Sequence, residues 1–369
     1  MRPWPLRFTL FRATSAICGV LAACVLLELA LRVHAAFDPI PEQALALAAR
    51  MQPPAFRRDC KQQSLQASGL TELVRPSADP DIVYELKPNI DTCWLGVRIS
   101  TNADAVRAAR RYARPKPAGT WRVLLLGDSQ TFGAGVDLDD TWGARVEREL
   151  AALAPATAVE VVNAGVPGYN TAQEAAHFLR HGHSYEPDCV IVLAIGNDFN
   201  LPHLMFSPRD PFDLTTSYLW SSLTSLRDRR NAANGQSWFE VADEVPRLEE
   251  EAAARVPTHY RHMVGVAGYQ RAQRALAVAT RARGIPLVVF ADYHKRGALA
   301  AALRRHEQVL GILHPDYEYP GSPKYWLSAE DAHLNPSGNA ELARRVLAGL
   351  RATEVCLPPE ARTQNTSAP

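Results

Sequence analysis

Short, mostly apolar stretches alternate along this chain with segments whose apolar residues recur at helical spacing. Trp121–Leu126 runs straight into Gly127. Val159–Val162 gives way to the turn-forming Asn163–Asn170, and Val190–Ile195 stops at Gly196-Asn197-Asp198. Ile285–Phe290, rich in β-branched residues, is the fourth stretch. Between them, Thr141–Leu153, Thr171–Arg180 and Tyr269–Arg283 carry the helical period, the last with Gly284 as its stop. Asn339–Arg351 forms a terminal helix. A strand that is apolar through consecutive positions, rather than at alternate ones, is buried on both faces, so helices must cover the sheet above and below. The pattern therefore predicts an α/β protein, a three-layer α/β/α sandwich around a parallel sheet.

Outside this rhythm the chain is less regular. Residues 37–120 form a lead-in that begins helix-like and polar and turns strand-like at Ile82–Leu86 and Cys93–Ser100. It ends in the linker Arg114-Pro115-Lys116-Pro117-Ala118-Gly119. The basic stretch Arg107–Lys116 is expected to be solvated, as charge runs usually are. The core domain spans 121–353. Phe199–Tyr260 breaks the alternation with prolines, aromatics and charges directly after a strand end. It is expected to be an insertion (about 199–260) near the mouth of a site, because ligands bind at the carboxyl ends of parallel strands. Its aromatics Phe206, Tyr218, Trp220 and Trp238 either pack within the insertion or line a pocket. The tail, 354–369, is expected to be disordered.

The N-terminus adds a membrane element. Arg2, Arg7 and Arg12 precede the mostly apolar run Ala13–Leu31, and Arg32 follows it. About 20 apolar residues cross a bilayer, and the arginine bias places the N-terminus in the cytoplasm. Residues 1–36 thus read as a cytoplasmic stub and signal anchor, an N-terminal transmembrane helix with the body exported to the periplasm or cell surface. Two other readings stay open. Leu21-Ala22-Ala23-Cys24 resembles a lipoprotein cleavage site with Cys24 acylated, and a secretory signal could end near Ala35-Ala36.

Charge narrows the partners. Forty basic and 39 acidic residues leave a net charge of +1, which argues against a nucleic-acid partner. Of the six cysteines, Cys18 and Cys24 lie in the anchor, and Cys189, in an apolar strand, reads as an inert core residue. In an exported body, Cys60 and Cys93 are candidates for a disulfide, although connectivity does not follow from spacing. No CxxC pair or Cys/His cluster suggests a metal.

Four segments carry candidate chemistry. Gly127-Asp128-Ser129-Gln130 places a serine at the tip of a buried strand. Without Gly-Lys-Ser/Thr it is no phosphate loop, and it lacks the Gly-x-Ser-x-Gly elbow. Glycines in Asn163–Asn170 let a backbone N–H approach an oxyanion, and the Asn197 amide at the next strand end could donate to the same charge. In Asp331-Ala332-His333-Leu334-Asn335, His333 precedes the last helix. A serine hydroxyl is a poor nucleophile until a histidine takes its proton, and that histidine needs a carboxylate to fix its tautomer; Asp331 fits this need. Taken alone, each segment is a turn or a helix cap. Together, three end successive parallel strands and the fourth precedes the last helix, so all converge on one sheet edge.

These blocks resemble the SGNH (GDSL-type) hydrolase superfamily over Trp121–Arg351. The resemblance implies a flavodoxin-like strand order. It implies Ser129 as nucleophile, His333 as base and Asp331 as its acid, with Glu330 as the other acid candidate. An oxyanion hole would be formed by Ser129 N–H, Gly168 N–H and the Asn197 amide. Three departures stand out. Gln130 occupies the position of the leucine in the family name, Ile195 replaces a glycine often found in the third block, and Asp331 lies two rather than three residues before the histidine. The function implied is that of a membrane-anchored serine esterase acting on carboxylic esters, O-acetyl groups among them, with no cofactor or metal. The substrate would be a small-molecule or glycan ester, and the membrane would be engaged through the N-terminal helix. The alternatives are an O-acyltransferase or acetylesterase acting on cell-surface polysaccharide, and a non-catalytic carbohydrate-binding module on the same fold. The sequence leaves the oligomeric state undefined.

Overall fold

A computed structural model describes residues 4–37, 60, 70–200, 202–203, 217–220, 258–291, 297–315, 318–329 and 331–365. The helix-like start of the lead-in, Phe206, Trp238 and Glu330 lie outside the described residues.

The chain divides into two compact units. The first contains α1 (Trp4–Phe37) and residues 206–241. Within α1, Phe11–Val33 is a 23-residue stretch long and apolar enough to cross a membrane, a property that a signal sequence shares. Glu28 in this stretch pairs with Arg32 one turn on, at 2.9 Å. Its carboxylate also accepts from the N–H groups of Tyr218 and Leu219 (3.0 and 2.8 Å) and from the Ser217 hydroxyl at 3.0 Å. Of the insertion aromatics that are described, Tyr218 is buried and Trp220 is exposed.

The second unit carries the sheet. Its strands are β5 (Thr120–Leu126), β6 (Ala158–Asn163), β7 (Cys189–Ala194) and β8 (Leu287–Ala291). They pair in the order β6-β5-β7-β8, all parallel, with Leu125 opposite Asn163 and Ile191, and Ile191 opposite Val288. Leu313 extends the far edge by a parallel bridge to Val288. The first strand lies inside and the second at the edge, the flavodoxin-like arrangement with its switch point between β5 and β7.

Residue alternation in β5 divides the core. Leu124 and Leu126 face the helices α4 (Thr171–Arg180), α5 (Gly265–Arg281) and α6 (Gly297–Val309), packing with Phe178, Leu276 and Leu303. Val123 and Leu125 face α3 (Trp142–Leu153) and α7 (Pro336–Thr353), with Val146, Leu150, Leu342 and Val346. Each such buried side chain contributes about 1.5–3 kcal/mol. The helices start where local chemistry sets them. Thr141 caps α3 through Ala144 N–H, and Asn170 and Gln173 cap α4 reciprocally. Asn335 caps α7, with Pro336 at its first turn.

From Ala48 on, the lead-in belongs to this same unit. It contains two small antiparallel pairs, β1 (Val74–Pro76) with β2 (Tyr84–Leu86), and β3 (Asp91–Trp94) with β4 (Val97–Ser100). Cys93–Ser100 is therefore a hairpin rather than one strand. Leu95 and Gly96 both adopt positive φ (49° and 78°), which a two-residue type I′ turn requires. The basic stretch also departs from expectation, because Arg107 is only 1% exposed. Cys60 and Cys93 are bonded, and so are Cys189 and Cys356. Cys189 is thus not an inert core thiol. The second bond draws in the tail, where Leu357 and Ala361 are buried and α8 (Pro359–Asn365) forms in place of the disorder expected from 354 on.

Candidate active site

Strand β5 ends at Leu126, and the chain turns through Gly127 into the short helix α2 (Ser129–Phe132). Ser129 therefore opens a helical turn. Asp128 is the N-cap, and its Oδ1 accepts from Gln130 N–H at 2.9 Å. The far end of α2 rests on Arg107. Its guanidinium donates to the carbonyls of Phe132 (2.8 Å), Gly133 (2.5 Å) and Val136 (2.5 Å). Burial pushes this guanidinium down to about 9, with the Asp137 charge opposing, so it stays protonated at neutral pH.

The loop after β6 is fitted against the same turn. Asn163 Nδ2 donates to Thr131 O at 2.8 Å, and Val166 N–H donates to Gly127 O at 3.0 Å. A Cβ on Gly165 would lie 2.5 Å from Phe132 N, so only glycine permits this approach. Gly168, at φ +77°, faces His203 and Tyr84; a Cβ there would meet His203 Cβ at 2.4 Å and Tyr84 Oη at 2.9 Å. The Tyr84 hydroxyl donates to Pro167 O at 3.1 Å, so the lead-in helps shape this loop.

After β7, Asn197 places its Nδ2 2.8 Å from Asp128 Oδ2. One amide hydrogen is thereby spent on Asp128, which fixes the direction of the second. The last contribution comes from the loop before α7. His333 Nε2 lies 2.8 Å from Ser129 Oγ, and His333 Nδ1 lies 2.5 Å from Asp331 Oδ1. The same Asp331 oxygen accepts from His333 backbone N–H at 3.0 Å. With Nδ1 donating to Asp331, Nε2 is the acceptor for the serine hydroxyl.

Electrostatics follow from these contacts. Burial alone would push His333 down, but the hydrogen bond and charge of Asp331, with the charge of Asp128, raise it overall. Asp331 is lowered, chiefly by the hydrogen bond from the His333 ring. Asp128 is raised by complete burial, which its bonds from Gln130 N–H and Asn197 only partly offset. Behind it, Asp198 and Glu174 are also raised by burial and by neighbouring carboxylates. Asp198 accepts from the Thr171 hydroxyl at 2.5 Å. Among the described residues no group of His, Cys, Asp and Glu could hold a metal ion.

Ser129, His333 and Asp331 thus stand in one hydrogen-bonded series, and Asn197 joins them through Asp128. Two residues of this site were not anticipated. Asp128 had a signal, its place beside the serine. Arg107 had none, since nothing local distinguishes it from its solvated neighbours.

A parallel sheet with helices on both faces thus brings Ser129, Asn197, Asp331 and His333 together at its carboxyl edge. The model of the GDSL-like lipase/acylhydrolase family matches residues 125–341, more than half of the chain, and the chain belongs to that family. No curated protein matches it in sequence. Among solved structures, TesA aligns at 16% identity with TM-score 0.39, covering 63% of this chain and 98% of TesA. A lipase/acylhydrolase from Enterococcus faecalis aligns at 15% identity and TM-score 0.38, covering 63% and 96%. A variant of Axe2, an acetyl xylan esterase from Geobacillus stearothermophilus, aligns at 16% and 0.36, covering 62% and 94%.

Proposed function

We propose that this enzyme is a membrane-anchored, extracytoplasmic serine esterase. The observation that carries it is the series Asp331 Oδ1–His333 Nδ1 at 2.5 Å and His333 Nε2–Ser129 Oγ at 2.8 Å. Ser129 Oγ attacks the ester carbonyl as its proton passes to His333 Nε2. The carbonyl π bond opens onto oxygen, and the oxyanion is met by the N–H groups of Ser129 and Gly168 and the second amide hydrogen of Asn197. Ser129 N–H opens a helix and so has no intrahelical acceptor. Collapse breaks the ester C–O bond, and the leaving alkoxide takes the proton from His333. Water then repeats the sequence against the acyl-serine and frees the acid. Asp331 stays ionised throughout, in keeping with its lowered pKa. Asp128 holds Asn197 in register.

Location is supported by two features. The apolar helix suits an anchor, and two disulfides suit an oxidising compartment. The test is hydrolysis of p-nitrophenyl acetate, butyrate and octanoate by the full chain in detergent. Wild type should turn over at least one ester, with the chain-length preference separating a deacetylase from a lipase. Ser129→Ala and His333→Ala should each lose the activity. Persistence in folded Ser129→Ala would refute the assignment. A wild type that cleaves esters appreciably only when an oligosaccharide acceptor is added would identify acyl transfer instead.

A further inference from the structure

We propose that Gln130 is a positioning residue that holds the His333 loop in register with the nucleophile. This rests on the reading of Ser129 as nucleophile and His333 as base. Gln130 follows Ser129 in α2, and its half-buried side chain reaches the loop before α7. Its Nε2 donates to Ala332 O at 3.3 Å, and its Oε1 accepts from Leu334 N–H at 3.2 Å. One side chain therefore grips the backbone on both sides of His333. A primary amide suits this task because it offers a donor and an acceptor on one planar fork. A leucine here could make neither bond.

The other ties of His333 have a different reach. Its ring and its backbone N–H are bonded to Asp331, Leu327 N–H donates to His333 O at 2.8 Å, and Ser328 Oγ accepts from Asp331 N–H at 3.1 Å. These bonds are internal to the loop. They hold base and acid together but do not fix their distance from Ser129. Among the described residues three hydrogen bonds join α2 to this loop: the two from Gln130 and the 2.8 Å contact between Ser129 and His333. That last bond is surrendered in each catalytic cycle, when Oγ bonds to the acyl carbon. Gln130 keeps its grip through that step, so His333 is still in place to activate the water that follows.

The roles separate in a variant series. Gln130→Leu and Gln130→Met remove both bonds and leave Asp331–His333 intact. Displacements of about 1 Å at a reacting pair cost on the order of 100-fold in rate, so kcat should fall about 10- to 100-fold with KM little changed. The acid limb of the pH profile should not move, because the groups that set the His333 pKa remain. Gln130→Glu keeps the acceptor for Leu334 N–H and should fall between wild type and Gln130→Leu. The experiment uses the full chain in detergent, with p-nitrophenyl ester turnover, a fluorophosphonate probe for Ser129, and a thermal melt of each variant. Folded Gln130→Leu that turns over and labels like wild type overturns the positioning role alone. So does a loss of kcat accompanied by a shifted acid limb, which would place the damage in the His333–Asp331 pair. A folded wild type that neither labels nor turns over removes the serine mechanism, and the role of Gln130 with it.

Discussion

In the proposed mechanism, replacing Asn197 by alanine removes one oxyanion donor and leaves the nucleophile, base and acid in place. In the resting enzyme one amide hydrogen of Asn197 is held by Asp128 Oδ2 at 2.8 Å. The other is aimed in advance, and such preorganisation gives a donor its catalytic value. Loss of one donor raises the barrier by about 2.7–4 kcal/mol, a fall of about 100- to 1,000-fold in kcat. A neutral ester carbonyl gains far less from that donor than an oxyanion does, so KM should barely respond. There is a separate structural cost. Asp128 is buried and loses one of its bonds, worth about 1.5–3 kcal/mol for a charged acceptor, but retains Gln130 N–H at 2.9 Å. The melting temperature should therefore drop by several degrees without loss of the fold. The assay is kcat and KM on p-nitrophenyl acetate, with circular dichroism and the melt measured on the same sample. A folded Asn197→Ala with kcat within about threefold of wild type would refute the argument, since threefold corresponds to less than 1 kcal/mol.

His333 holds its proton more firmly than a free imidazole, so the acid limb of kcat/KM should have its midpoint above the ordinary value of 6.5. In Asp331→Asn the carboxylate that chiefly raises His333, through its hydrogen bond and its charge, is gone, while burial remains and the Asp128 charge alone opposes it; the limb should move to lower pH as kcat falls roughly 10⁴-fold. The raised pKa also means that His333 stabilises the fold fully below about pH 6.5, a contribution lost as pH rises through the folded-state pKa. Arg107→Met strands three carbonyls. At about 1–3 kcal/mol each, partly offset by avoiding a buried charge, the net loss should be on the order of 3 kcal/mol, read as an earlier urea midpoint; an unchanged midpoint would contradict the role given to Arg107.

The β-strands of the sheet were legible because burial on both faces leaves runs of consecutive apolar residues, unbroken in β7 and β8 and interrupted only by Arg122 in β5 and Glu160 in β6, and α4 was legible to the residue because its caps are local. Ser129, Asn197, Asp331 and His333 could be named for the same reason: each sits in a short block whose chemistry is contained in a few neighbours. Features that depend on distant partners were not legible. Arg107 is charged in sequence and buried in fact, because three carbonyls from another segment accept from it. Cys189 looked like core, and its partner Cys356 lies 167 residues away. The Leu95-Gly96 turn was hidden because Leu95 rarely takes positive φ. Gln130 showed as a departure from a family name, but the backbone groups it meets belong to a loop that the sequence places more than half the chain away.

The Cys189–Cys356 bond turns nearly half of this enzyme into a covalent ring. Asn197, the insertion, Asp331 and His333 lie on the ring, and Ser129 lies on the arm that enters it. One cut anywhere on the ring opens it without releasing a fragment. The stretch that begins at Cys189 and the stretch that ends at Cys356 remain tethered across the back of the sheet, so a nicked enzyme would migrate as one species until reduced and as two afterwards. Covalent linkage between Asn197 and His333 therefore does not depend on an unbroken backbone between them. A single proteolytic cut between residues 198 and 332 would still leave Asn197 and His333 in one molecule.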